Sequence, residues 1–264
     1  MDLNLKNKTA FISGSTAGIG FAIAERLARE GARVIINGRT QKRVAFAIQS
    51  LHQNVPHATI EGIPCDLGHK KGCAALVRQL REVDILVNNL GIFEPKPFDE
   101  IPDEDWLRFF EINVMSGVRL SRSYLPGMKK RNWGRIVFIS SESAVHIPAE
   151  MVHYGMTKTA QIAIARGLAE TCAGTGVTVN SILAGPTASE GVTDFIGKLA
   201  DEKKMTSAQF EQEFFKSMRP TSLVKRFLKP EEIAAVVAFV CSPAASAVTG
   251  TALRAEGGLI KAAL

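Results

Sequence analysis

"KTAFISGSTAGIG", residues 8–20, decides the architecture. Residues 8–13 form a short apolar run that reads as a buried strand, and a helical stretch follows from Ile19 to Arg29. Between them lies a glycine-rich turn. Gly14 permits a tight turn, Gly18 lets the backbone approach a phosphate closely, and Gly20 allows the helix to pack on the strand. The start of the helix then offers free N–H groups and a positive dipole end to a pyrophosphate. The spacing is G-x-x-x-G-x-G, and the Gly-Lys-Ser/Thr of a nucleoside triphosphatase loop is missing.

Outward from this turn the pattern alternates. Strands are expected at 32–38, 58–66, 83–89, 134–140, 176–185 and 250–256. Helices are expected at 40–53 (opened by Thr40 as cap), 69–81, from about Asp105 to Lys129, at 152–173 and at 230–241. Apolar strands alternating with helices imply an α/β fold, a doubly wound parallel sheet (Rossmann fold), with ligands at the carboxyl ends of the strands. The 264 residues suit one domain, 1–264, and no repeat or linker divides them. The longest segment between core elements, Glu190 to Lys229, is expected to be a helical substrate-loop insertion and lid, because long insertions at ligand edges often cover them. Within it "TSAQFEQEFFKSM" reads as a capped helix. Its face of Phe210, Phe214, Phe215 and Met218 either covers a partly apolar substrate or packs on the sheet.

Bulk properties narrow the function. The net charge is +6, but the basic residues are scattered and the densest run, "KKRNWGR" at 129–135, is short. No nucleic-acid recognition motif accompanies them, so neither a nucleic-acid nor a membrane partner is expected. The amino terminus lacks a basic region followed by an apolar core, and the most apolar helix, "IAAVVAFVCS", is too short to span a bilayer. Cys65, Cys73, Cys172 and Cys241 show no C-x-x-C spacing, which suits reduced, buried thiols in a cytoplasmic protein. No metal-ligand spacing such as H-E-x-x-H occurs, so no metal is expected.

The tip of the second strand, "NGRT", discriminates between dinucleotides. An acid there would bind a ribose 2′-hydroxyl, whereas an arginine would pair with a 2′-phosphate. Gly38 stands where the acid would be and Arg39 follows, with Arg43 one turn on. NADP(H) is therefore favoured over NAD(H).

"HYGMTK" (153–158) then sets Tyr154 and Lys158 four residues apart on one helix face, in a chain with only two tyrosines. A phenol titrates near pH 10, and a neighbouring cation favours the phenolate. Lowering it to neutrality takes roughly 3 pK units, about 4 kcal/mol. One ammonium supplies about that order of interaction near 4 Å at an effective dielectric of ~20.

Five pieces in order, "SGSTAGIG", "NNLG" (88–91), Asn113 in "EINVMSG", Ser141 closing "IVFISS" and "YGMTK", strongly resemble the short-chain dehydrogenase/reductase family over essentially the whole chain. The resemblance implies an NADP(H)-dependent oxidoreductase acting on a carbonyl or secondary alcohol, of which 3-oxoacyl-[acyl-carrier-protein] reductases are one kind. It implies Tyr154 as general acid/base, Ser141 as hydrogen-bond partner of the substrate oxygen, Lys158 on the nicotinamide ribose, and Asn113 holding a water that links Lys158 to solvent. It assigns Gly14, Ser15, Gly18, Ile19 and Gly20 to the pyrophosphate and its adjoining ribose. Asp66 and Leu67 go to the adenine, Asn88 and Gly91 to the cofactor path, and Gly185, Thr187 and Ser189 to the nicotinamide border. A homotetramer packed through the helices around 105–129 and 152–173 is also implied.

The sequence departs from the family pattern at Leu90, Ala184, Ser189 and "AEGG" (255–258), none of which touches the four catalytic candidates. Glu142, His146, Glu150, Met151 and His153 lie between Ser141 and Tyr154 and are expected near the pocket mouth. Either histidine could contact a polar substrate or be an ordinary loop residue. The alternative function is a catalytically silent dinucleotide-binding sensor or scaffold. The Asn–Ser–Tyr–Lys set weighs against it, because a pure binder needs no phenol there.

Overall fold

Period-two alternation along the first strand sorts the core into two layers. Phe11 faces one side of the sheet and Ile12 the other, and both are fully buried. The computed structural model describes residues 2–190 and 205–263. In chain order these form β1 (Thr9–Ile12), α1 (Gly18–Arg29), β2 (Arg33–Gly38), α2 (Gln41–Asn54), β3 (Ile60–Pro64), α3 (Lys70–Gln79) and β4 (Ile85–Asn88). There follow α4 (Asp103–Phe110), α5 (Ser116–Lys130), β5 (Gly134–Ser141), α6 (Val152–Glu170), β6 (Val177–Ala184), α7 (Ser207–Glu213), α8 (Pro230–Cys241) and β7 (Ala252–Ala255).

The strands form one sheet in the order β3-β2-β1-β4-β5-β6-β7, and every pairing is parallel. One buried cluster joins Ile12, Val34 and Val87 to α1, α2 and α8. The other joins Phe11, Ile35, Leu86 and Phe138 to α3, α5 and α6. With both faces covered, β5 and β6 are buried at every residue, which explains why they read as unbroken runs. Strand order reverses between β1 and β4, and a crevice opens at the carboxyl ends of strands at such a point.

The expected elements are all present, most of them shorter by one to four residues. Thr40 caps α2 by accepting from Arg43 N at 3.4 Å. Thr206 and Gln209 form a reciprocal capping box at the start of α7. The expected long helix differs in one respect: between α4 and α5 the chain makes a π-helical turn over Glu111–Met115, which contains Asn113. Of the expected lid, residues 191–204 lie outside the described residues. Among the described residues no helix is long and apolar enough to cross a membrane. The four cysteines are free thiols, three of them buried. Burial pushes Cys65 to about 11 and Cys241 to about 12, and raises Cys73 as well.

The β3–α3 turn leaves no room for a side chain at Gly72, where a Cβ would lie 1.7 Å from the Asp66 carbonyl oxygen. Gly72→Ala should therefore lower stability by roughly 1–3 kcal/mol, read from the urea midpoint. Gly167→Ala in α6, where a Cβ meets nothing within 4 Å, should not lower it.

Candidate active site

The turn after β1 is held from three sides. Ser15 Oγ donates to Ile12 O at 2.7 Å and accepts from Asn37 N at 2.9 Å. Asn37 Oδ1 accepts from Gly14 N at 3.3 Å, and its amide donates to the Ile63 and Cys65 carbonyls. Asn89 Nδ2 donates to the Ser13 and Gly14 carbonyls at 3.0 and 2.9 Å. A Cβ on Gly20 would meet that same Asn89 nitrogen at 2.5 Å, so the glycine makes the clamp possible. Gly14 and Gly18 both take positive φ, +61° and +57°. No side chain caps α1 and no acid stands in its first turn, leaving its first N–H groups directed at the crevice. Uncapped donors, close backbone and the absence of an acid fit a pyrophosphate.

A cleft of about 750 Å³ runs from this turn to the end of β5. Gly18, Ile19, Gly20, Gly91, Gly185, Thr187, Ser189, Ser141, Tyr154 and Lys158 all line it, so the structure brings together ten of the expected residues. The others stand back from it. Ser15 is buried behind the turn and Leu67 is 1% exposed within the core. Asp66 is exposed and accepts from Gly68 N at 2.9 Å, while Arg39 is exposed just past β2. Asn88 turns into the core, where it donates to Ser121 Oγ at 3.2 Å. Its neighbour Asn89 lines the cleft instead. Strand alternation puts the two side chains on opposite sides, and the "NN" pair alone does not say which is which.

Asn113 is likewise set back. Its side chain donates to Ile92 O and Thr157 Oγ1, both at 3.0 Å, and accepts from Ile92 N at 2.8 Å. Its own carbonyl accepts from Gln161 Nε2 at 2.6 Å. Asn113 thus ties the π-helical turn to α6. Ser140 Oγ adds a second tie by donating to Lys158 O at 2.9 Å. The sequence reading missed Asn37, Asn89, Ser140 and Gln161, because each acts on backbone groups that only the tertiary fold brings near, and Thr157, whose distant partner is the Asn113 side chain.

Lys158 is 5% exposed. Its Nζ donates to Ile139 O at 2.8 Å, lies 3.4 Å from Gln161 Oε1, and sits 5.5 Å from the Tyr154 ring centre. Burial depresses the ammonium to about 8, with the Glu142 charge acting the other way. The expected lowering of the phenol is not found in the chain by itself. Burial, and then the Glu142 charge, push Tyr154 above its ordinary value, outweighing the opposing effects of Ser141 and Arg219.

Glu142, Glu150 and Met151 line the cleft as expected. The histidines do not. His146 is exposed, and His153 is fully buried in α6 with its ring 4.1 Å from that of Phe109 and 6.0 Å from that of Trp106. From the insertion, Phe210, Phe214, Met218 and Phe227 reach the cleft wall, while Phe215 is buried against Phe214 and Phe227. The helix face therefore both lines the cleft and packs internally. Leu90 contacts the space above Gly14, and Glu256 lies against Gly185, where a Cβ would meet its Cα at 2.7 Å.

A family model described as enoyl-(acyl carrier protein) reductase matches residues 14–260. The chain is 50% identical over 261 residues to the uncharacterized oxidoreductase YvaG of Bacillus subtilis, covering 99% of both. It is 33% identical to the dehydrogenase/reductase SDR family member 4 of Bos taurus, covering 96% of this chain and 88% of that protein. Among solved structures it is similar to the L-sorbose reductase of Gluconobacter frateurii complexed with NADPH and L-sorbose. That match has a TM-score of 0.93 at 31% identity, over 99% of this chain and 100% of the other. The chain belongs to the short-chain dehydrogenase/reductase family of oxidoreductases.

The depressed Lys158 has a consequence for stability. The folded chain favours the neutral amine, so this contribution is full above the unfolded value near 10.5 and is lost as pH falls through about 8. Comparing native chain with Lys158→Met by urea unfolding, the balance should move toward the variant as pH falls across that window.

Proposed function

We propose that the chain is an NADPH-dependent reductase that delivers hydride to a carbonyl carbon, and acts in reverse on the secondary alcohol. One observation carries the proposal: Ser141, Tyr154 and Lys158 share a single cleft with the uncapped glycine turn at the start of α1. Gly18, Ile19 and Gly20 would hold the pyrophosphate, and Gly185, Thr187 and Ser189 would border the nicotinamide. NADPH, when bound, supplies the hydride.

The protein's own groups handle the proton and the geometry. Tyr154, held above its ordinary pKa, stays protonated at neutral pH and is poised to give its proton to the carbonyl oxygen. Ser141 fixes that oxygen from the end of β5. Lys158 remains largely charged at neutral pH and favours the phenolate left after transfer, with an interaction of about 3 kcal/mol at an effective dielectric of ~20 over the 5.5 Å to the ring. Asn113 acts at one remove, by fixing α6 through Thr157. The insertion supplies an apolar wall that helps exclude water.

The NADP preference rests on the end of β2. A Cβ on Gly38 would meet Thr16 Cγ2 at 2.5 Å, which leaves little room for the acid an NAD site would carry there. Arg39 follows, exposed, and Arg43 borders the cleft 3.8 Å from Glu190. The sorbose reductase and an actinorhodin polyketide ketoreductase are both named as bound to NADPH, which supports the same choice.

Tyr154→Phe should cut turnover at least about a hundredfold while NADPH binding, followed by fluorescence, stays nearly intact. Unchanged turnover would remove the proposed acid. Arg39→Ala should weaken NADPH far more than NADH, and equal losses for the two would count against the phosphate assignment.

A further inference from the structure

The wall of the cleft beside Ser141 contains a buried ionic group that hydride transfer, as derived above, does not use. Glu142 is 4% exposed and Arg219 5%, yet both border the cleft. Glu142 Oε2 accepts a short hydrogen bond from Ser141 Oγ, and Oε1 accepts from Arg219 Nε at 3.3 Å. Arg219 Nη1 donates to Glu150 Oε1 at 3.2 Å and to Met218 O at 2.9 Å. Burying such charges costs several kcal/mol, and well-packed apolar residues would hold the same shape at lower cost. The arrangement therefore calls for a purpose in binding.

We infer that Glu142 is a specificity-determining residue that accepts a hydrogen bond from a hydroxyl on the carbon next to the reacting carbonyl, so that the substrate class is α-hydroxy ketones and, in reverse, vicinal diols. Arg219 is the positioning residue that holds this carboxylate. The inference rests on the carbonyl reduction proposed above and adds the substrate class.

Three arguments lead there. A carboxylate offers about four lone-pair sites, and the protein fills two of those on Glu142. A ligand that expels water from the cleft strands the rest unless it brings a donor, and stranding a buried charged acceptor is expensive. Position comes next. Ser141 Oγ carries a single proton, which goes to Glu142 in the chain by itself and, in the proposed reaction, turns to the substrate oxygen, so that Glu142 Oε2 then needs a new donor. Glu142 is thus one hydrogen bond from the reacting oxygen, within reach of a substituent on the adjacent carbon. An α-hydroxy ketone holds its two oxygens about one hydrogen-bond length apart, as the Ser141 and Glu142 oxygens are. Charge decides the donor. Arg219 and Lys158 disfavour an ammonium, while Glu142 and Glu150 disfavour a carboxylate. A neutral hydroxyl satisfies both, and Phe210, Phe214 and Phe227 leave space opposite for an apolar remainder.

The test pairs 2-hydroxyacetophenone with acetophenone. Turnover is followed by NADPH oxidation in the native chain. Binding is followed by calorimetry in the NADPH-loaded Tyr154→Phe protein, which does not depend on turnover. The hydroxylated ketone should be favoured at least about a hundredfold in kcat/KM and bind measurably tighter. Glu142→Gln should bring the ratio near unity, chiefly by lowering the hydroxy ketone, and Glu142→Asp, which withdraws the charge by one methylene, should lower it too. A ratio near unity in the native chain, or variants that depress both ketones equally, would overturn the inference. Absence of NADPH oxidation with either ketone, beside an intact binding preference that Glu142→Gln removes, would fault the proposed reaction and uphold the role of Glu142.

Discussion

The cleft is organised around one buried cation. Taking an ammonium out of water costs several kcal/mol unless acceptors are built to receive it. For Lys158 these are the Ile139 carbonyl at the end of β5 and the Gln161 side chain one turn along α6. Satisfying that cation fixes how closely α6 lies against β5. The Ser140 and Asn113 ties reinforce the same spacing from the sheet and from the π-helical turn. Tyr154, four residues before the lysine, is then carried to the end of β5 where Ser141 stands. The glycine turn at the opposite end is clamped independently, by Asn37 and Asn89.

Much of this was legible in the chain. Buried parallel strands announce themselves as continuous apolar runs, so the sheet, its crossovers and the glycine turn could be read directly. The residues that line the cleft were found where motif and element coincide, as at Gly18–Gly20 or Tyr154. What stayed hidden has a common cause. Asn37, Asn89 and Gln161 act through backbone atoms of distant segments, and no local spacing encodes such a partner. The choice between Asn88 and Asn89 turns on which side of β4 each occupies, a single-residue question that strand limits read from sequence do not resolve. The π-helical turn depends on one extra residue within a helix and leaves the apolar pattern nearly unchanged.

Electrostatics was the least legible layer. A Tyr-x-x-x-Lys spacing suggests a phenol lowered by its lysine, yet the folded chain raises it, because burial and the Glu142 carboxylate, whose approach no local spacing encodes, act together on the hydroxyl. The same carboxylate opposes the depression of Lys158. Glu142 is thus coupled to both members of the dyad, and its partner Arg219 comes from a segment 77 residues away.

The thiols described with the fold have a practical meaning for the protein's chemical resilience. Alkylating agents, peroxides and disulfides all react with the thiolate, and Cys65, Cys73 and Cys241 are held in their neutral form well above physiological pH. Oxidants and alkylating agents that act on exposed, acidic cysteines therefore meet little thiolate at these three positions.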